Sequence, residues 1–121
     1  MTDQDKPVAR GWVWLLWAAA VYNLVAGLPA LVSPAAPVSD RVVGLLVVCF
    51  GLVYAMVARA PVRLGPVLWA GVAGKAGVIA LLLPGVLAGQ VQSGMAPAAL
   101  APVLAGDALF GLAFLAFLLR R

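Results

Sequence analysis

The chain has 121 residues, of which 65% are hydrophobic and only 10% charged, with a net charge of +4. A soluble domain of this length cannot bury so much apolar surface, so a mean hydropathy of +1.12 points to lipid as the solvent of its outer face. With no histidine, no glutamate and the single cysteine Cys49, the residues exclude an intrachain disulfide, Cys clusters, bis-histidine haem, two-histidine iron sites and Ser/His/Asp or Cys/His nucleophiles.

Self-contained catalysis and a metal site are therefore not expected. Ser33, Ser39 and Ser93 all fall in predicted loops. The basic residues are spread over segment ends and form no patch, so nucleic acid is excluded as a partner as well. Cys49 reads as a small packing residue.

Four helices are predicted, at residues 12–32, 41–58, 64–87 and 98–119. Each has roughly 18–24 residues, which at about 1.5 Å per residue spans a hydrocarbon core about 30 Å thick. The fold class follows: all-α, an integral-membrane antiparallel four-helix bundle forming one domain over residues 1–121.

The first apolar run is longer than the core of about 7–15 residues found in signal peptides, so it is expected to be retained. It carries Trp12, Trp14 and Trp17 near its start. With Tyr54 and Trp69 these form an expected aromatic belt at one membrane face. The connection at residues 33–40 contains Pro34 and Pro37, and Ser39 or Asp40 is expected to cap the second helix. The second connection, Arg59-Ala60-Pro61-Val62-Arg63, reads as a topology-setting turn, with docking of an anionic lipid as the alternative. The third, residues 89–97, is punctuated by glycine and proline. Pro29, Pro66, Pro84 and Pro102 mark bends or helix ends.

Lys6, Arg10, Arg59, Arg63, Arg120 and Arg121 gather on one side, and Arg41 stands alone on the other. The positive-inside rule then places both termini of a multi-pass membrane protein in the cytoplasm.

Lys75 and Asp107 each sit alone in an apolar span. A charge at the bilayer centre costs roughly 2.5–3.5 kcal/mol on insertion scales, so residues of opposite sign in this position are expected to pair. Asn23, the one asparagine in the chain, joins them. Counted inward from Arg10, Arg63 and Arg120, all three lie about 18–20 Å deep. Small residues surround them: Gly71, Gly74 and Gly77 around Lys75, Gly106 and Gly111 around Asp107, and Gly27 one turn after Asn23. These are expected to let the helices pack closely.

Two readings follow. Lys75 and Asp107 form an ion pair that fixes helix register, with Asn23 satisfying its spare hydrogen-bonding groups. Alternatively, the three form a polar site for a proton, a small solute or a quinone-like head group, in a small oligomeric transporter, a channel or a lipophilic-ligand binder. A faint internal repeat is also visible. Phe50-Gly51-Leu52-Val53-Tyr54-Ala55-Met56 in the second helix resembles Phe110-Gly111-Leu112-Ala113-Phe114-Leu115-Ala116 in the fourth, as in transporters built from parallel repeats.

Tyr22-Asn23-Leu24 with Gly27 and Pro34, Phe50-Gly51 with Tyr54, Arg59-Ala60-Pro61-Val62-Arg63, Gly74-Lys75-Ala76-Gly77 and Gly106-Asp107-Ala108-Leu109-Phe110 together resemble small, mostly uncharacterised bacterial inner-membrane proteins of DoxX-like type. That resemblance covers most of the chain. It implies an accessory or structural subunit of a larger membrane complex, redox or quinone-linked, and carries over no catalytic residue. Small multidrug resistance transporters share the size and helix number, but their essential acid lies in the first helix, where this chain has none. The expected partners are the bilayer and either a larger membrane complex or further copies of the chain. No cofactor is expected beyond a quinone.

Overall fold

The computed structural model describes residues 8–92 and 94–120; Met1, Lys6, Ser93 and Arg121 lie outside the described residues. Its regular elements are helices. They are α1 (Arg10–Val32), α2 (Val38–Arg59), a single turn α3 (Pro61–Leu64) that runs into a 3-10 turn (Gly65–Val67), α4 (Leu68–Leu87) and α5 (Pro97–Leu119). Four stretches, Arg10–Val32, Val38–Arg59, Pro61–Leu87 and Pro97–Leu119, are long and apolar enough to cross a membrane. That is the make-up of a small multi-pass membrane protein. The chain divides into two compact units, one ending at Leu68 and one covering Trp69–Arg120.

In the first unit α1 and α2 meet backbone to backbone. A β-carbon added to Gly44 would stand 2.6 Å from the Gly27 carbonyl oxygen, and one added to Gly27 would stand 2.6 Å from that of Gly44. Further along, a β-carbon on Gly51 would lie 3.1 Å from both the Ala20 carbonyl oxygen and the Asn23 β-carbon. At the loop end the Arg41 Nε–H donates to the Leu31 carbonyl at 3.1 Å. Partners therefore rise along α2 as they fall along α1. Gly44 and Gly51 are seven residues, about two turns, apart and share one helical face. Between membrane helices, where lipid is as apolar as leucine, such close backbone approach and hydrogen bonding hold the pair together.

Arg41 also has a local task. The last four carbonyls of α1 have no amide partner within the helix, and a guanidinium at that end satisfies one and complements the dipole. The start of α2 differs from expectation. The helix begins at Val38 with Pro37 at the cap position, and no side chain caps it. Proline's ring fixes φ near the −56° observed there, so the chain enters the helix directly. Asp40 becomes a first-turn acid facing the helix dipole, not a cap.

The second connection is shorter than expected. Only Ala60 leaves the helical conformation, and Pro61 opens α3 at its first position, where its missing N–H costs nothing. Pro66 lies in the 3-10 turn, while Pro29, Pro84 and Pro102 are inside helices.

In the second unit α4 ends on a Schellman motif. Gly89 takes φ +74°, its N–H donates to Val86 at 3.1 Å, and the Gln90 N–H donates to Gly85 at 2.9 Å. The Gln92 side chain then folds back and donates to the Leu82 carbonyl at 3.1 Å. Gly85 makes room for it, since a β-carbon there would collide with the Gln92 carboxamide.

Two expectations about side chains are corrected. Tyr54 is only 2% exposed, so it belongs to the core and not to an aromatic belt, whereas Trp14, Trp17 and Trp69 face outward. Cys49 is exposed and so is not among the buried core residues. Its neighbours at helical spacing, Leu45, Leu46 and Leu52, are exposed as well.

Gly44→Ala is expected to cost about 1–3 kcal/mol, because a backbone carbonyl must move to admit the methyl group. Gly74→Ala has open space around it and is expected to be neutral or to gain up to about 1 kcal/mol from helix propensity. Unfolding in mixed micelles by titration with a denaturing detergent, followed by circular dichroism, measures both.

Candidate functional site

Lys75 projects from the middle of α4, and Asp107 from the middle of α5. The Lys75 Nζ–H donates to Asp107 Oδ1 at 2.8 Å. The two side chains are 6% and 12% exposed. The pair expected from the isolated charges is thus formed within the second unit. One turn beyond Asp107 on the same face, the Phe110 ring centroid lies 5.9 Å from Lys75 Nζ, within reach of a cation–π attraction. Gly111, four residues from Asp107, faces Lys75: a β-carbon there would touch the Lys75 β-carbon at 3.6 Å. Asp107, Phe110, Gly111 and Phe114 fall at helical spacing on one face of α5, and Phe114 is fully buried.

The electrostatics follow from the setting. Two opposite charges 2.8 Å apart sum to no net charge in the span. Their mutual attraction and hydrogen bond offset the loss of water that either alone would suffer. No buried side-chain nitrogen or oxygen among the described residues lacks a partner.

Asn23 lies on α1, in the first unit. Its Nδ2–H donates to the Val47 carbonyl on α2 at 3.0 Å, and its own side chain is buried. In a helix the carbonyl of residue 47 already faces the amide of residue 51, so the Asn23 amide uses the second lone pair. Gly51 keeps that edge of α2 low enough for Asn23 to come close.

The glycines fall into two groups. Gly111 packs on Lys75, Gly71 is buried and Gly106 half-buried. Gly74, which is exposed, and Gly77, which is half-buried, have nothing within 4 Å of a β-carbon position. Sequence reasoning passed over Gly44 and named Gly51 only within the Phe50-Gly51 motif, not as a packing residue; their seven-residue spacing on α2 was the available signal.

Chemically, the site offers one ammonium and one carboxylate already engaged with each other, flanked by an aromatic ring. Among the described residues no three histidine, cysteine or acidic side chains converge to hold a metal. Comparison with protein-family models, with curated proteins and with solved structures finds no match.

Lys75→Ala and Asp107→Ala are each expected to cost about 3–5 kcal/mol, because each strands the opposite charge, and the double variant is expected to recover part of that loss. Asn23→Ala removes a neutral interhelical bond and is expected to cost less, about 0.6–1.7 kcal/mol. A double-mutant cycle of unfolding free energies in micelles reads the first result, and purely additive losses would contradict a direct pair.

Proposed function

We propose that the chain is a small integral inner-membrane protein, an antiparallel four-helix bundle with both termini cytoplasmic, that serves as an accessory or structural subunit of a larger membrane complex. The observation that supports this reading is the Lys75–Asp107 pair, whose opposite charges meet at 2.8 Å and leave no net charge at that point of the spans. Leu81, Leu87, Leu109, Leu112 and Leu119 present large outward apolar surface, suited to lipid or to helices of a partner. The DoxX-like resemblance supports a redox or quinone-linked complex as the setting. The arginines at the start of α1, at both ends of the α2–α3 connection and after α5 support a cytoplasmic side for both termini.

Native mass spectrometry of the protein extracted from its own membranes in mild detergent tests the proposal. The expected result is a larger protein co-purifying in fixed stoichiometry. A homo-oligomer, or a monomer holding a small lipophilic mass, contradicts it and favours the transporter or ligand-binding reading of the polar residues.

A further inference from the structure

The two units share one internal plan. In α1 the sequence Leu16-Trp17-Ala18 recurs in α4 as Leu68-Trp69-Ala70, shifted by 52 residues. At the same shift Asn23 corresponds to Lys75, the buried polar residue of each helix. In α2 the sequence Phe50-Gly51-Leu52 recurs in α5 as Phe110-Gly111-Leu112, shifted by 60 residues. At that shift Val47 corresponds to Asp107, and Tyr54 to Phe114.

Burial follows the same correspondence. Trp17 and Trp69 are both exposed, and Asn23 and Lys75 both buried. Tyr54 and Phe114, Val57 and Phe117, and Ala58 and Leu118 are buried in pairs. The ring pairs Phe50–Tyr54 and Phe110–Phe114 each have centroids 6.3 Å apart.

The contacts agree as well. In each unit the polar residue of the first helix has its β-carbon against the glycine of the Phe-Gly-Leu segment, Asn23 on Gly51 and Lys75 on Gly111. In each unit its nitrogen donates to the residue four places before that glycine, Val47 or Asp107. The donor and acceptor are 24 residues apart in one unit and 32 in the other, so the second unit has eight more residues between them.

A chain rich in Ala, Gly and Leu produces short sequence matches by chance, and any two helices share a 3.6-residue burial rhythm. Neither effect dictates which residue of one helix meets which residue of the next. We infer that the chain is a tandem repeat of one two-helix unit, and that the Asn23–Val47 and Lys75–Asp107 contacts are the same site in its two copies. The copies differ in chemistry: the first is neutral and donates to a backbone carbonyl, and the second carries the ion pair.

Equivalent sites accept each other's residues. Asn23→Lys and Val47→Asp, made singly, leave an unmatched charge in the first unit. Together they place an ammonium and a carboxylate where the second unit holds its pair. The double variant is expected to unfold at a higher denaturant midpoint than either single variant. In the reverse direction, Lys75→Asn with Asp107→Val is expected to exceed Lys75→Ala with Asp107→Val, because the introduced amide finds the carbonyl of residue 107 as Asn23 finds that of Val47. A gain in either direction supports the equivalence, and the second direction decides if the charged pair prevents insertion. Additive losses in the first, together with no advantage of asparagine over alanine in the second, would overturn it.

Discussion

Inside a hydrocarbon layer a polar group has no water to fall back on, and that constraint organises this chain. Away from its ends and its prolines, a spanning helix satisfies its own backbone amides, which leaves the few side chains able to hydrogen-bond as the points where one helix recognises another. Lys75 and Asp107 are the strongest of these. Separated, each would put an uncompensated charge in an apolar span; joined at 2.8 Å, they fix which residues of α4 and α5 face each other. Asn23 does the same for α1 and α2 with a neutral amide. In both cases a glycine on the receiving helix sits at the contact, so the polar bond and the close approach of the helices reinforce each other.

Much of this was legible in the sequence, for a specific reason. An isolated charge in a long apolar run has few ways of being accommodated, so Lys75 and Asp107 announce each other. The spanning segments are equally plain, because length and hydropathy alone define them. The partner of Asn23 was not legible: it is a backbone carbonyl, which every residue carries and no residue type marks. The importance of Gly44 and Gly51 was hidden for a related reason. A glycine matters for packing only if another helix lies against it, and Gly74 and Gly77, in a stretch just as rich in small residues, have no neighbour. Tyr54 misled because its amphipathic ring suits a membrane interface and a core equally well, and only the face it occupies decides. Val38 begins α2 because Pro37 sets the entry angle, a backbone effect that outweighed the capping signal of Ser39 and Asp40.

The connections show how little the loops have to contribute. Arg41 closes the end of α1, Pro61 opens α3 immediately after α2, and Gln92 folds back onto α4 over Gly85. Each of these ties a loop to a helix terminus. Among the described residues the buried polar and charged side chains, Asn23, Lys75 and Asp107, all lie at mid-helix and away from these connections.

The most direct measurement is a nitrogen–carbon dipolar recoupling experiment by solid-state NMR on the protein in lipid bilayers. Lysine is labelled at Nζ and aspartate at Cγ, in a Lys6→Arg background that leaves Lys75 as the one lysine. A strong coupling between the lysine nitrogen and an aspartate carbon, at the separation expected of a direct hydrogen bond, is the predicted result. Absence of coupling in well-folded, bilayer-inserted protein would mean that the two charges are accommodated separately, and would contradict the interaction on which α4 and α5 are aligned.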